Sequence, residues 1–313
     1  MATHELVTRP DNVHWGFYSA ALKPVLAIDS GDTLVIHTES GRRDLLPKLG
    51  GRVSPELRKI LETVPQGAGA HIMTGPVAVR GAKPGDALEV RFRDIQPRYD
   101  WGYNGFRPLV GGLPEDFPYM RVAVVEVDKK SWTGDWGAGV RVPLSPFFGN
   151  FGVAPPAQLG QVPSSPPGAW GGNTDNKEFA AGSTVYLPVF NEGALFSAGD
   201  GHGCQGDGEA NINGIEMGLT GTIELIVRKD LKLKSPRAET ATHYILMGFD
   251  PILDNAVKMA LRETIAFLGE LRGMSRDDAY TLCSLAVDLR VTQIVNGVKG
   301  VHAMLPKALF NQG

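Results

Sequence analysis

The stretch ALEVRFRDI at residues 87–95 decides the class of fold. Successive side chains of an extended chain point to opposite faces, so Leu88, Val90 and Phe92 share one face while charged residues occupy the other. This alternation predicts an antiparallel strand with one face buried. The Pro-Gly-Asp sequence at residues 84–86 predicts the turn that precedes the strand.

Short runs rich in β-branched residues recur on both sides of this strand, each bounded by turn residues. They predict further strands at residues 24–28, 33–37, 76–79, 121–127, 184–190 and 220–228. The 39 glycines and 22 prolines, together with only 21% charged residues, favour many turns and short elements over a helical bundle. We therefore predict an α+β fold that is mainly β, with a core like a β-sandwich or β-barrel.

Two helices are predicted near the C-terminal end. Apolar residues recur at helical spacing over residues 252–271, and Gly273 supplies a stop signal. Ser275 followed by Asp278 forms a capping box, which predicts a second helix through about Ala286.

The change of pattern after residue 235 predicts how the chain is organised. Residues 1–234 are predicted to form a β-rich domain that carries the functional loops. Residues 235–313 are predicted to form a smaller α/β part, with a strand at residues 289–295, that packs on the same body. A single compact domain is the alternative.

Composition excludes several classes of partner. The 31 basic and 34 acidic residues give a net charge of −3, which recruits neither nucleic acid nor an anionic membrane. The first 17 residues lack the basic and apolar regions of a secretory signal, and no stretch approaches the ~18 apolar residues of a membrane span. With Cys204 and Cys283 as the sole cysteines, a disulfide framework is not expected. We predict a soluble, cytoplasmic protein whose partner is a small molecule.

Glycine, proline and aromatic residues dominate residues 102–173. Flexible linkers are poor in aromatic side chains, whereas here they recur throughout. We interpret this region as ordered loops that wrap a functional site.

The segment GDGHGCQGDGE at residues 199–209 is the densest in chemistry. Five of its side chains can bind or transfer protons: Asp200, His202, Gln205, Asp207 and Glu209. The five interspersed glycines cost conformational entropy and add nothing to a core, but they let the backbone approach a ligand closely. The segment predicts the centre of a hydrolytic active site.

The spacing in this segment predicts which side chains converge. In extended chain Asp200 and His202 project to one side, and Asp207 and Glu209 also share a side. A histidine with carboxylates can bind zinc, manganese or iron, and such an ion acidifies a bound water. The same residues could instead form a metal-free acid–base relay. A solvated turn or a calcium loop is the plainer interpretation, although the spacing of an EF-hand is absent.

Other candidates are weaker. In the segment GGNTDN at residues 171–176, Asn173 and Asp175 would share a face and offer an amide and a carboxylate, but the sequence is also that of an ordinary turn. Cys204 is a possible nucleophile without a matched base. His37, Glu39 and His71 are interpreted as structural, and Cys283 as helix core. No nucleophile elbow, phosphate-binding loop or dinucleotide fingerprint occurs, so no organic cofactor is predicted.

Several blocks of sequence, in this order, resemble those of the acetamidase/formamidase family. They are TGPV at 74–77, GAKPGD at 81–86, PFFGNFGVAP at 146–155, GGNTD at 171–175, and GALF at 193–196, which leads into 199–209. The resemblance extends from about residue 25 to about residue 300. It implies hydrolysis of short aliphatic amides to carboxylate and ammonia, a β-rich fold with a smaller α/β part, and a homo-oligomer.

The resemblance also implies a site in this chain made of Asp175, Asp200, His202, Asp207 and Glu209, with Asn150, Asn173 and Gln205 as substrate contacts. We infer the roles of these residues from their chemistry. Asp175, Asp200 and His202 are the predicted metal ligands, with zinc as the expected ion. His202, Asp207 and Glu209 are the predicted catalytic residues, with Glu209 as the general base. Backbone N–H groups of the glycine-rich turn would stabilise the tetrahedral intermediate.

The sequence departs from the family pattern where Gly203 and Cys204 follow the histidine, and ahead of Thr74. These departures bear on the identity of the substrate. Two alternatives remain open: a ligand-binding protein without catalysis on the same scaffold, and a hydrolase of a larger or cyclic C–N compound. Aromatic residues would enclose the larger substrate or form oligomer contacts; they are Trp101, Tyr103, Phe106, Phe147, Phe148 and Trp170.

Overall fold

The computed structural model of the protein describes residues 1–310. Its strands, numbered in chain order, are β1 (Thr3–Leu6), β2 (Val13–Trp15), β3 (Phe17–Ser19), β4 (Leu26–Ile28), β5 (Thr33–His37), β6 (Ile72–Val79), β7 (Ala87–Pro97), β8 (Trp101–Phe106), β9 (Arg121–Asp128), β10 (Thr133–Gly137), β11 (Val140–Pro143), β12 (Phe147–Gly152), β13 (Gln161–Pro163), β14 (Pro167–Gly168), β15 (Gly171–Asn173), β16 (Thr184–Pro188), β17 (Phe196–His202), β18 (Leu219–Arg228), β19 (Arg237–Glu239), β20 (His243–Asp250), β21 (Asp288–Gln293) and β22 (Lys299–Pro306). Its α-helices are α1 (Leu46–Leu49), α2 (Pro55–Thr63), α3 (Leu253–Arg272) and α4 (Arg276–Ala286). The predicted α+β class, mainly β, is confirmed.

Most strands belong to two large sheets. The nine-stranded sheet has the order β1-β5-β18-β7-β16-β19-β20-β22-β21. The seven-stranded sheet has the order β14-β15-β12-β17-β6-β2, with β4 beside β6. A third sheet has four strands, in the order β11-β10-β9-β8. In the described part of the chain neither large sheet closes on itself, so the core is an open sandwich.

Aromatic side chains join the two large sheets. Phe92 of β7 packs against Phe148 and Phe151 of β12, with ring centroids 6.2 and 5.0 Å apart. All three are buried. Burying a side chain of this size stabilises a fold by about 1.5–3 kcal/mol. Strand β12, which borders the functional site, is therefore anchored on the main core.

The alternation of residues in strand β7 predicted its buried face correctly, but not the burial of Glu89 on the opposite face. Leu88, Val90 and Phe92 are buried, as predicted. Glu89 on the opposite face is also buried, contrary to the expectation of a solvated face. Its carboxylate accepts a hydrogen bond from the guanidinium of Arg228 at 2.6 Å, which compensates the buried charge.

The region that we interpreted as loops contains strands β8 to β15 instead. All six residues of β12, FFGNFG, are buried, so this strand lacks the alternation that marks a half-buried one. Glycine makes the tight packing possible: a Cβ on Gly105 would lie 2.7 Å from the carbonyl oxygen of Arg121 in the neighbouring strand. The glycines of this region suggest turns when the sequence is considered alone, but in the structure they allow neighbouring strands to pack closely.

The two predicted C-terminal helices are confirmed as α3 and α4. Ser275 caps α4 by accepting a hydrogen bond from the backbone N–H of Asp278 at 3.1 Å. The nine-stranded sheet runs across the boundary predicted at residue 235, because β19 pairs with β16. Among the described residues, no helix is long and apolar enough to cross a membrane.

Candidate active site

Strand β17 carries the centre of the site and lies between β12 and β6 in the seven-stranded sheet. It ends at His202, which is paired with Phe147 of β12. The Phe147 ring packs edge-on against the imidazole, with centroids 5.1 Å apart. His202 is buried, with 1% exposure. The sheet therefore holds this imidazole in one orientation.

Gly149 of β12 makes room for the polar groups of the site. A Cβ at this position would overlap Oδ1 of Asp175. It would also lie 3.0 Å from Oδ2 of Asp200 and 3.0 Å from Cε1 of His202, tighter than ordinary contacts. The absence of a side chain at residue 149 is thus a condition for the three groups to meet.

Hydrogen bonds fix the two nitrogens of His202 in different roles. Nδ1 lies 2.8 Å from Oε1 of Gln205, whose amide nitrogen donates to the backbone carbonyl of Asp175 at 2.7 Å. An amide oxygen only accepts, so Nδ1 carries the proton in this contact. Nε2 faces Oε1 of Glu216 at 3.0 Å and Oδ2 of Asp200 at 3.7 Å. Burial disfavours the imidazolium, but Glu216 and Asp200 hold the pKa of His202 well above its usual range.

Four buried carboxylates surround this imidazole: Asp175, Asp200, Glu209 and Glu216. Asp175 and Asp200 offer atoms that lie within 4.8 Å of one another and of His202, and Glu209 and Glu216 form a second such group with the same histidine. So many like charges cannot remain ionised together in a buried site without a cation or shared protons.

Burial shifts the pKa values of most of these carboxyl groups upward. Burial raises the pKa of Asp175 to about 6, although His202 opposes the rise. Burial likewise raises the pKa of Glu209 and of Glu216. Asp200 differs, because the charges of two nearby histidines and its hydrogen bonds outweigh the effect of burial and lower its pKa.

Three of the four acids stand on strained backbone. Asp175, Asp200 and Glu209 have φ angles of 46°, 52° and 46°, in the left-handed region that residues other than glycine seldom adopt. Such conformations cost about 1–3 kcal/mol each and cluster at functional sites. The rest of the fold therefore holds these three residues in a backbone conformation that they would seldom adopt on their own.

The arrangement fits a divalent cation. Within residues 1–310, Oδ1 of Asp175 and Oε2 of Glu209 are buried without a hydrogen-bond partner. Imidazole and carboxylate donors are the ligands of zinc and related ions. The Nδ1 proton of His202 on Gln205 matches the outer contact that ligating histidines make. Asp175, Asp200 and His202 thus form a possible metal-binding group.

A cavity of about 320 Å³ opens onto these groups. Asp200, His202, Glu209 and Glu216 line one part of it. Its other lining residues include Glu39, Arg42, His71, Tyr103, Arg107, Asn173 and Asn296. A buried acid–imidazole cluster at a cavity of this size can position a polar molecule and exchange protons with it.

The model of the acetamidase/formamidase family matches residues 63–165 and 160–312, which is most of the chain. The protein belongs to this family. An acetamidase from Mycolicibacterium smegmatis is 32% identical over 210 residues, covering 48% of this chain and 52% of that protein. The chain spans about half the length of the curated relatives it matches.

Solved structures of two acetamidase/formamidase proteins share the whole fold. An acetamidase from Bacillus halodurans is 31% identical, with a TM-score of 0.85 and 98% of each chain covered. A predicted acetamidase/formamidase from Thermoanaerobacter tengcongensis is 28% identical, with a TM-score of 0.87, covering 99% of this chain and 97% of that one.

The structure of this family member brings together four of the residues singled out in the sequence. Asp175, Asp200, His202 and Glu209 converge on one cluster. Gln205 joins it as the partner of His202, and not as a residue lining the cavity. Asn173 lines the cavity, and within the described residues its Oδ1 has no hydrogen-bond partner.

Two predicted residues lie apart from this cluster. Asn150 is buried and does not line the cavity: its Oδ1 accepts from the hydroxyl of Tyr18, and its amide donates to the carbonyl of Ser164, both at 2.8 Å. Asp207 is exposed and forms an ion pair with Lys177 at 3.0 Å. The chain is not extended after β17, so Asp207 and Glu209 do not share a side.

Cys204 also stands apart from the acid cluster. It is half-buried, and burial raises the pKa of its thiol although His202 opposes the rise. It lines a separate cavity beside Trp136. A thiol with a raised pKa is a poor nucleophile at neutral pH, so the structure gives no support to cysteine chemistry.

Sequence reasoning missed several residues that face the cavity. Glu216 reaches His202 through a bridge between their backbones. His71 and Glu39, which we interpreted as structural, both line the cavity. Asn296 donates to Oδ2 of Asp175 at 2.6 Å from a distant part of the chain. Only Glu216 lies near the glycine-rich segment in sequence, so local spacing gave no signal for the others.

Proposed function

We propose that this protein hydrolyses small aliphatic amides, of the formamide and acetamide type, to a carboxylate and ammonia. The observation that carries the proposal is the buried cluster of His202 and four carboxylates at a cavity, in a chain of the acetamidase/formamidase family. Relatives that bear the names acetamidase and formamidase support the same reaction class.

Glu209 is the proposed general base. Its carboxyl is buried and lines the cavity, where it can accept a proton from a water molecule and return it to the substrate. Burial raises the pKa of this carboxyl, which favours its holding a proton. It takes a proton from the attacking water as the oxygen–carbon bond forms. It then delivers that proton to the amide nitrogen as the carbon–nitrogen bond breaks and ammonia leaves.

Other residues hold the reacting groups. Asn173 lies on the cavity with an unpaired amide oxygen, which we propose accepts an N–H of the substrate. Gln205 fixes the ring of His202 through Nδ1. Contacts of this kind are in place before the substrate binds. They lower the activation barrier because the entropic cost of orienting the groups is met when the protein folds.

We further propose that Asp175, Asp200 and His202 hold a zinc ion. A divalent ion held by these residues would act as a Lewis acid and would acidify a bound water. Its positive charge would also offset the excess of negative charge that four buried carboxylates beside one imidazole create.

We also propose a cytoplasmic homo-oligomer. Both cysteines are free thiols, in keeping with a reducing compartment. Large apolar side chains are exposed beside the four-stranded sheet and suit a protein–protein contact; they include Leu109, Leu113, Phe117, Trp136 and Val140. Light scattering of the purified protein tests the oligomer, and a monomeric mass would contradict it.

An ammonia-release assay over a panel of small amides tests the proposed function. Wild type is expected to release ammonia from formamide or acetamide. Glu209→Gln removes the base without changing the size of the side chain and is expected to lower kcat by at least about a hundredfold. Glu192→Gln, at an exposed glutamate in a turn, is the matched control and should keep full activity. Tight amide binding with no turnover would instead indicate a binding protein.

A further inference from the structure

The cavity is larger than a formamide or acetamide molecule requires. Its volume of about 320 Å³ lies at the lower end of the range that holds drug-sized ligands. The acid–imidazole cluster occupies only part of the lining. The remaining lining can therefore contact a part of the substrate beyond the amide group.

Two arginines lie on this remaining lining, Arg42 and Arg107. The guanidinium of Arg42 is already matched, because Asp44 accepts two hydrogen bonds from it at 3.0 and 3.1 Å. Arg107 is half-buried, and within residues 1–310 it forms no ion pair and no side-chain hydrogen bond. The donors of this guanidinium are therefore available to a ligand in the cavity.

The surroundings of Arg107 disfavour its charged form, which a bound anion would stabilise. Burial, followed by the like charge of Arg42, lowers the pKa of Arg107. Asp44 opposes this effect but is shared with Arg42. A guanidinium presents a planar set of donors that matches a carboxylate in a bidentate pair.

Tyr103 borders both charged regions of the cavity. It lines the cavity, and its backbone pairs with that of Glu216 in the acidic cluster. It also lines a smaller neighbouring cavity together with Arg42 and Arg107. A substrate that spans the cavity would meet acids and imidazole at one end and a free guanidinium at the other.

We propose that Arg107 binds a carboxylate at the distal end of the substrate, so that the preferred substrates are monoamides of short dicarboxylic acids. This inference rests on the proposed amidase function. The separated charges also orient the substrate, because a carboxylate turned toward the cluster would face Asp200 and Glu216. Hydrolysis of such a substrate yields ammonia and a dicarboxylate.

Succinamate and butyramide form a matched pair of probes, since they differ in a terminal carboxylate against a methyl group. We expect wild type to have a kcat/KM for succinamate at least about tenfold above that for butyramide, the gain of one charge-assisted contact. Arg107→Gln is expected to bring this ratio to about one, and Arg107→Lys to retain part of it. Arg58→Gln, at an exposed arginine outside the cavity, should keep the wild-type ratio.

The results of these assays distinguish the role of Arg107 from the amidase activity itself. Ammonia release from both amides with equal kcat/KM, or a ratio that Arg107→Gln leaves unchanged, overturns the role of Arg107 while amidase activity stands. If neither amide releases ammonia, calorimetric binding decides the role of Arg107, and the proposed function fails if formamide and acetamide release no ammonia either. Tighter binding of succinamate that is lost in Arg107→Gln supports the carboxylate site, and equal binding of the two amides overturns it.

Discussion

At the scale of single residues, the site depends as much on a missing side chain as on those that do chemistry. Gly149 lies where Asp175, Asp200 and His202 converge. Histidine and the acids could be selected from the sequence, because dense polar residues among glycines seldom serve a core. The role of Gly149 could not, because only the folded arrangement shows what its Cβ would meet.

Gly149→Ala is expected to lower kcat/KM for amide hydrolysis by at least about tenfold, because the added methyl group displaces a carboxylate. Overpacking of this kind also destabilises a fold by about 1–3 kcal/mol. The control is Gly206→Ala in the neighbouring loop, where a Cβ would meet nothing within 4 Å. Wild-type kinetics in Gly149→Ala would show that the three groups do not need their present spacing.

At the scale of elements, the strands with clear alternation were predictable and the glycine-rich ones were not. Strand β18 shows the pattern of a half-buried strand, and β7 shows it only in part because Glu89 is buried as well; both strands were predicted. Strands β12 and β15 are buried throughout and contain four glycines between them, so their sequence resembles loops. The strands of the scaffold could therefore be predicted from the sequence, but the strands that shape the site around β17 could not.

Strand β2 is tied to β17 by a buried histidine. Nδ1 of His14 donates to the backbone carbonyl of Phe17 at 2.6 Å, and Nε2 accepts from the hydroxyl of Ser197 at 2.9 Å. Burial lowers the pKa of His14 from 6.5 to about 4, although the bond to Phe17 opposes the change. The folded state thus holds this imidazole neutral where the unfolded chain would protonate it.

This shift predicts a pH dependence of stability. Between pH 6.5 and about 4 the unfolded chain binds more protons at His14, so the free energy of unfolding falls as the pH is lowered. The contribution of His14 over that window is roughly 3 kcal/mol. Urea unfolding of His14→Gln at several pH values should show lower stability at pH 7 but a shallower fall toward pH 4. A fall as steep as that of wild type would contradict the neutral, buried imidazole.

His302 also contributes to the fall in stability at low pH. Burial lowers its pKa to about 4 as well, so part of the acid sensitivity will remain in His14→Gln. The expected result is therefore a reduced slope and not its loss.

At the scale of the whole molecule, the site assembles segments that are far apart in the chain. Residues 71, 173, 200, 216 and 296 line one cavity, and Asp175 belongs to the acid cluster beside it. Local spacing in the sequence identified the segment 199–209 and the acid at Asp175, but contacts between distant segments placed His71, Glu216 and Asn296. Long-range topology, which periodicity does not encode, decided which of the acids meet.

We propose that the cluster of His202 and four carboxylates holds a divalent ion and hydrolyses an amide. The test is ammonia release from acetamide and formamide by protein whose metal content is measured before and after chelation. Activity is expected to fall with the metal content and to return when Zn²⁺ is added, and His202→Ala, although folded, is expected to retain neither metal nor activity. Full ammonia release from metal-free protein, or from His202→Ala, would contradict it.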